Sequence, residues 1–118
     1  PLLADIRLNS SQLAVERGEL GSALDHAVQA RDLEPWASSP YLQLALVDEQ
    51  RGDLDRARSW IREAIDRDET NWQLWLVAAR LETKSGAVRA GLSNLRQAAA
   101  LNPRSRLFER LAEKPPQP

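Results

Sequence analysis

Glycine recurs at Gly18, Gly52 and Gly86, 34 residues apart each time. Sliding the chain by the same step superimposes much more. Tyr41 falls on Trp75, Ala45 on Ala79, Ala23 on Ala57 and Gly91, and Ala30 on Ala64 and Ala98. A repeat of this length holds one supersecondary unit that cannot bury its apolar face alone, so neighbouring units must stack into a shared core. Few other sequence features restrict the architecture as much. At 118 residues the chain amounts to one domain.

Each repeat reads as two helices around the glycine. Residues 1–17 place Leu3, Ile6, Leu13 and Val15 at loosely helical spacing, with Leu8 elsewhere on the wheel and Asn9-Ser10-Ser11 as poor helix material. Residues 20–33 carry a small-residue stripe of Leu20, Ala23, Leu24, Ala27, Val28 and Ala30, ended by Glu34-Pro35. A third helix over 40–51 has Ser39 placed to cap it and Pro40 in its first turn, and nearly every side of it is apolar. Asp53 caps a fourth helix, 54–67, with Leu54, Ala57, Trp60, Ile61, Ala64 and Ile65 inward. Thr70-Asn71 caps a fifth, 72–84, with Trp72, Trp75, Leu76, Ala78, Ala79 and Leu81 inward. The sixth, 87–101, turns Val88, Leu92, Leu95, Ala98, Ala99 and Leu101 inward, and Asn102-Pro103 breaks it. A seventh amphipathic helix is expected over 104–113, followed by a disordered Pro-rich tail, 114–118.

Composition closes off several functions. The 16 basic and 17 acidic residues are well mixed, for a net charge of −1, so no basic face exists to displace counterions from phosphates and nucleic acid is not an expected partner. Without cysteine there is neither a disulfide nor a thiolate metal site. No apolar run is long enough to insert into a membrane, and the N-terminus lacks the basic and apolar regions of a signal peptide. The absence of Met reads as a piece of a longer protein or a processed product. Its compartment therefore stays unknown.

Helix pairs of 34 residues, with Gly at the hairpin and Pro after the second helix, resemble tetratricopeptide repeats (TPR). Three copies are readable, at about 4–37, 38–71 and 72–105. The large first-helix position holds Arg7, Tyr41 and Trp75, followed four later by the small Ser11, Ala45 and Ala79. The close-packed second-helix position holds Ala23, Ala57 and Gly91, and the closing position Pro35, Glu69 and Pro103. The departures lie mainly in the first repeat, where Arg7, Ser10 and Ala14 replace bulky or apolar residues. The resemblance implies an all-α, right-handed superhelical solenoid of three TPR helix-turn-helix repeats with a C-terminal capping helix, a single domain over 1–113. More weakly, runs such as PYLQLALVDEQRGDLDRAR resemble in texture the C-terminal TPR region of bacterial O-antigen ligase-like membrane proteins.

The TPR resemblance implies that the first helices line a concave groove. Its positions here are Leu8, Asn9, Gln12, Leu42, Gln43, Leu46, Glu49, Gln73, Leu76, Val77 and Arg80. A partner's helix or extended segment could bury the apolar subset. Some TPR domains grip a peptide's C-terminal carboxylate with Lys, Asn and Arg in this groove. The matching positions read Leu8, Gln12, Gln43, Gln73 and Val77, so such a clamp is not expected.

The remaining candidates have plainer readings. Trp60 lies on the apolar stripe of its helix and belongs to the core. Trp72 and Trp75 pack at a repeat boundary, and Trp36 is read as packed beside Pro35. His26, the only histidine, is read as a surface residue with no partners for a metal. The acids Asp48, Glu49, Asp53 and Asp55 are read as caps and a solvated face, and Arg51, Arg56, Arg58, Arg62 and Arg67 as partners in helix-surface pairs. No strained nucleophile turn or phosphate loop is present. The chain is therefore expected to be no enzyme and to use no cofactor or metal. Three functions follow as expectations: a module binding a protein or peptide in the groove, an accessory domain of a bacterial membrane protein of surface-glycan assembly, and a homo-oligomer joined through the unfinished ends of the solenoid.

Overall fold

The computed structural model describes residues 2–107, which form six α-helices and no strand. They are α1 (Leu2–Glu16), α2 (Leu20–Leu33), α3 (Ser38–Gln50), α4 (Leu54–Arg67), α5 (Trp72–Lys84) and α6 (Val88–Leu101). The expected seventh helix, 104–113, lies outside the described residues beyond 107, as does the tail, 114–118.

Each hairpin turn is set by its glycine. Gly18, Gly52 and Gly86 have φ of 75°, 83° and 88°, a left-handed conformation that a side chain would strain. The residue after each glycine donates its N–H back across the turn. Glu19 reaches the carbonyl of Ala14 at 2.8 Å, Asp53 that of Asp48 at 2.9 Å, and Ala87 that of Glu82 at 2.9 Å. These six-to-one bonds satisfy carbonyls that the ending helix leaves open, and they recur at the 34-residue step.

Two of the expected caps form. Asp53 accepts from the Arg56 N–H at 3.1 Å, and Asn71 accepts from the Gln73 N–H at 3.1 Å. Ser39 does not cap α3, because the helix begins two residues earlier than expected, with Ala37 at the cap position and no side-chain bond there.

The helices pack as three hairpins, α1 with α2, α3 with α4 and α5 with α6; α2 then packs on α3 and α4 on α5 to join them. The main core lies in the second and third hairpins and includes Tyr41, Ala45, Ala57, Ile61, Leu74 and Leu81. A smaller cluster of Ala14, Ala23 and Val47, with Val15 and Leu24 against it, joins the first hairpin to the second. Gly91 sits where α6 crosses α5 most closely: a Cβ there would run into the Thr83 side chain and come within 3.1 Å of the Ala79 carbonyl.

The aromatic first-helix position has a second task besides filling space. The Tyr41 hydroxyl donates to the Pro35 carbonyl at 2.9 Å, and the Trp75 indole N–H donates to the Glu69 carbonyl at 2.8 Å, six residues back in both cases. Arg67 also donates to Pro35, at 2.7 Å, while its guanidinium lies over the Tyr41 ring. The loop before α3 is thus held from both α3 and α4.

Several expectations fail at the ends of the stack. On α1 it is Ala4, Ser11 and Ala14 that are buried; Leu3, Ile6 and Leu13 face solvent. On α6, Val88 and Leu92 are exposed, and the buried residues are Gly91 and Ala98. Among the described residues no further hairpin packs on either face, whereas their counterparts inside the stack are covered by one. Trp36 is 70% exposed and not packed. His26 is half-buried, with its Nδ1 shielded and unpartnered, so it is not a freely solvated surface residue.

Candidate functional site

A groove runs along the first helices of the hairpins. One cavity of about 480 Å³ takes Leu8 and Gln12 from α1 and Leu42, Gln43 and Leu46 from α3. A second, of about 530 Å³, shares Gln12, Gln43 and Leu46 and continues to Glu49, Arg80 and Lys84. Eight of the expected positions, Asn9 among them, therefore meet along one surface, because residues three or four apart on a helix share a face.

The floor of this groove is polar but internally satisfied. Gln43 is buried, and its amide donates to the Ser11 hydroxyl at 3.0 Å. Ser11 in turn donates to the Ala23 carbonyl at 2.7 Å, so one chain of bonds ties α3 to α1 and α2. Gln43 is consequently a supporting residue and not an exposed contact. Gln12 is exposed and available.

Glu49 holds the other end. Its carboxylate, 5% exposed, accepts from Arg80 Nε at 2.9 Å and Arg80 Nη2 at 2.7 Å, and from Lys84 Nζ at 2.8 Å. Burial alone would push its pKa up. The hydrogen bonds and charges of Arg80 and Lys84 outweigh that and hold it below the ordinary carboxylate range. Both cations on this stretch of the groove are thereby engaged by one carboxylate from within the protein.

The remaining expected positions go elsewhere. Leu76 lines a separate cavity of about 460 Å³ between α5 and α6, with Val88, Leu92 and Leu95, and Arg80 reaches its edge. Val77 is half-buried against the main core, which Leu42 also touches. Gln73 is exposed and lines none of these cavities.

Of the four acids read as caps and a solvated face, Asp53 is a cap and Asp55 is exposed, but Asp48 and the Glu49 carboxylate are withdrawn from solvent. Asp48 is fully buried and accepts from the Trp60 indole at 2.9 Å and from Arg51 at 3.1 Å, with Arg56 at 3.7 Å. Trp60 is accordingly half-buried, polar end inward, and not wholly in the core. Glu82 stands 34 residues after Asp48 and is also buried. It accepts from Arg58 at 3.2 and 3.0 Å and from Arg62 at 3.2 Å, across the boundary between the second and third repeats. Of the five arginines, Arg51 and Arg67 make the expected pairs one helical turn away, with Asp48 at 3.1 Å and Glu63 at 2.7 Å, and Arg58 makes a longer contact with Asp55. The 34-residue register carried the signal for Glu82, since two acids at one repeat position mark a shared environment. Lys84 was detectable as the residue one turn after Arg80.

Among the described residues no group of His, Cys, Asp and Glu is placed to hold a metal, and no helix is long and apolar enough to cross a membrane. The groove offers surface, shape and hydrogen bonds.

Comparison with known proteins agrees with this geometry. The tetratricopeptide repeat family model matches residues 38–81, which span α3, α4 and most of α5. The TPR repeat-containing protein YpiA of Bacillus subtilis (strain 168) is 31% identical over 90 residues. That alignment covers 76% of this chain and 21% of YpiA, so the chain spans about a fifth of that relative. Among solved structures, the Arabidopsis OM64 TPR domain superimposes with a TM-score of 0.82 at 14% identity, covering 94% of this chain and 92% of that one. The Yersinia enterocolitica type III secretion chaperone SycD, in complex with a peptide of the translocator YopD, gives 0.81 at 18%, covering 92% and 82%. The first TPR of Spaghetti (RPAP3), bound to the HSP90 peptide SRMEEVD, gives 0.82 at 10%, covering 95% and 92%. These matches indicate no enzymatic family and lend no support to an O-antigen ligase-like parent. With a helical-repeat fold shared along nearly its whole length and a tetratricopeptide repeat match over residues 38–81, the chain is an all-α helical-repeat solenoid similar to tetratricopeptide-repeat domains.

Proposed function

We propose that this domain is a non-catalytic module that binds a protein or peptide segment along the groove of α1 and α3. The observation that carries the reading is the continuity of the two cavities through Gln12 and Leu46. Together they offer a partly apolar, open surface of a size suited to an extended segment or one helix face. SycD and Spaghetti, which share the fold, are described in complex with peptides. Because Glu49 engages Arg80 and Lys84 and Glu16 lines the same cavity, two acids face two cations, and the favoured occupant is an uncharged segment with apolar side chains for Leu8, Leu42 and Leu46 and a polar group for Gln12.

Selection of a random-peptide library against the 118-residue chain tests this. Selected peptides should shift the amide resonances of Gln12, Leu46 and Glu49 on binding. Leu46→Asp should weaken them by about tenfold or more, the loss expected from desolvating an unpaired carboxylate. Peptides that bind Leu46→Asp as tightly as the parent chain, or that shift only the α2 and α4 faces, would end the proposal. The alternative of an accessory domain in a bacterial membrane protein of surface-glycan assembly rests on sequence texture alone. A full reading frame without membrane spans would remove it.

A further inference from the structure

Both ends of the stack present apolar side chains at register positions that are covered inside it. Ile6 and Leu13 on α1 are 46% and 50% exposed. Their counterparts one and two repeats later are Pro40 and Leu74, and Val47 and Leu81, all four buried. At the other end, Leu92 is 47% exposed and Val88 also faces solvent. Leu24 and Leu20, the first-repeat counterparts of Leu92 and Val88, are half-buried, as is Leu54 in the second repeat.

The chemistry of the ends also matches. At the junction of α2 with α3, Leu24 packs against the cluster that contains Val47. At the junction of α4 with α5, Arg58 takes the place of Leu24 and holds Glu82, the residue after buried Leu81. One step further, α6 offers Leu92 at this position. At the other end, α1 offers Leu13 followed by Ala14. Had the ends carried an arginine and no acid, or an acid and no arginine, their meeting would strand a buried charge. Leucine against leucine instead resembles the apolar contact of Leu24 with Val47, with alanine standing where the first junction carries Asp48.

We propose that a second copy of this chain seats its α6 face, Val88 and Leu92, on the α1 face, Ile6 and Leu13, continuing the stack head to tail by the same 34-residue step. The contact is heterologous, joining two different patches. The inference does not depend on the groove reading, since it uses neither Gln12 nor Leu46.

Sedimentation velocity and light scattering on the full 118-residue chain, over a wide concentration range, provide the test. The average mass should rise with concentration. Leu13→Arg alone and Leu92→Arg alone should each run as monomers, because each lacks one of the two faces. An equimolar mixture of the two should form a one-to-one dimer that grows no further, joined through its intact pair of faces. A wild-type chain that stays monomeric throughout overturns the proposal, including the case in which its own C-terminal residues cover α6. So does association of Leu92→Arg alone, which would mean that two α1 faces pair with each other, or a mixture that stays monomeric. Melting curves by circular dichroism check that the variants fold. If either arginine variant unfolds, Leu13→Ser and Leu92→Ser repeat the complementation.

Discussion

Where α2 meets α3, Leu24 packs on the cluster of Ala14, Ala23 and Val47, and on the groove side the Gln43 amide bonds to the Ser11 hydroxyl. At the equivalent place between α4 and α5, Arg58 and Arg62 hold Glu82, and on the groove side Glu49 holds Arg80 and Lys84. At the first junction the buried acid, Asp48, is held inside the second hairpin by Trp60 and Arg51, and the contact between hairpins is uncharged; at the second, ion pairs cross between the hairpins on both sides. The repeat therefore prescribes where helices meet, while side chains of either chemistry can fill the meeting place provided that every buried polar group finds a partner.

Five experiments would break or sharpen this contrast. The largest effect should come from the position that both junctions bury with an apolar side chain. Leu81→Ala should cost about 2–5 kcal/mol in chemical denaturation followed by tryptophan fluorescence, because it leaves a cavity, and Val47→Ala should cost less, in keeping with its smaller side chain. Equal costs at the two sites would mean that the junctions are not packed alike.

Next, Glu82→Ala should cost about 1–3 kcal/mol, since it strands two arginines that share one carboxylate. The double variant Arg58→Leu with Glu82→Ala replaces the ion pair by leucine against alanine and should return to within about 1 kcal/mol of the parent. A double variant weaker than either single one would show that the two chemistries are not interchangeable.

Acid should separate the junctions. The pairing of Glu49 holds its pKa below that of the unfolded chain, so its stabilisation is complete above the ordinary carboxyl range, near ~4.3, and is lost as pH falls through the depressed folded value. Glu49→Gln should flatten that part of the stability-pH curve, whereas Gln43→Ala should leave its shape intact. An unchanged acid limb in Glu49→Gln counts against the pairing.

Tyr41→Phe and Trp75→Phe each remove one hydrogen bond to a loop carbonyl and should cost about 0.5–1.5 kcal/mol for that bond, with an added packing loss for the larger tryptophan. Similar hydrogen-bond losses in both would confirm that the loops before α3 and α5 are tied in the same way. Smallest of all, Trp36→Ala should change stability by no more than about 0.5 kcal/mol, as expected of a side chain that touches little; a larger loss would reveal packing of the loop before α3.

Much of the fold was legible because it depends on local rules. The glycines at 18, 52 and 86 take positive φ as their spacing suggested, and Asp53 and Asn71 cap the helices they precede. These effects act within a few residues. The failures fall where a distant residue decides. Leu3, Ile6 and Leu13 have the spacing of a buried stripe, yet only a neighbouring hairpin could bury them. Asp48 and Glu82 resemble surface acids until Trp60 and Arg58, 12 and 24 residues away in sequence, are placed beside them. In the groove, the sequence placed Leu8, Gln12, Leu42, Leu46 and Glu49 on a common surface. It could not foresee that Gln43 is consumed by Ser11 or that Leu76 turns toward α6.

The 34-residue step, the helices and their turns were thus determined by the chain itself, through periodicity, glycine and caps. The tertiary structure alone decided which acids are buried, which cations remain free, and which apolar faces are left uncovered. The physical reason is desolvation: a side chain loses water only when another repeat closes over it, and no rule confined to one helix specifies what that repeat will bring.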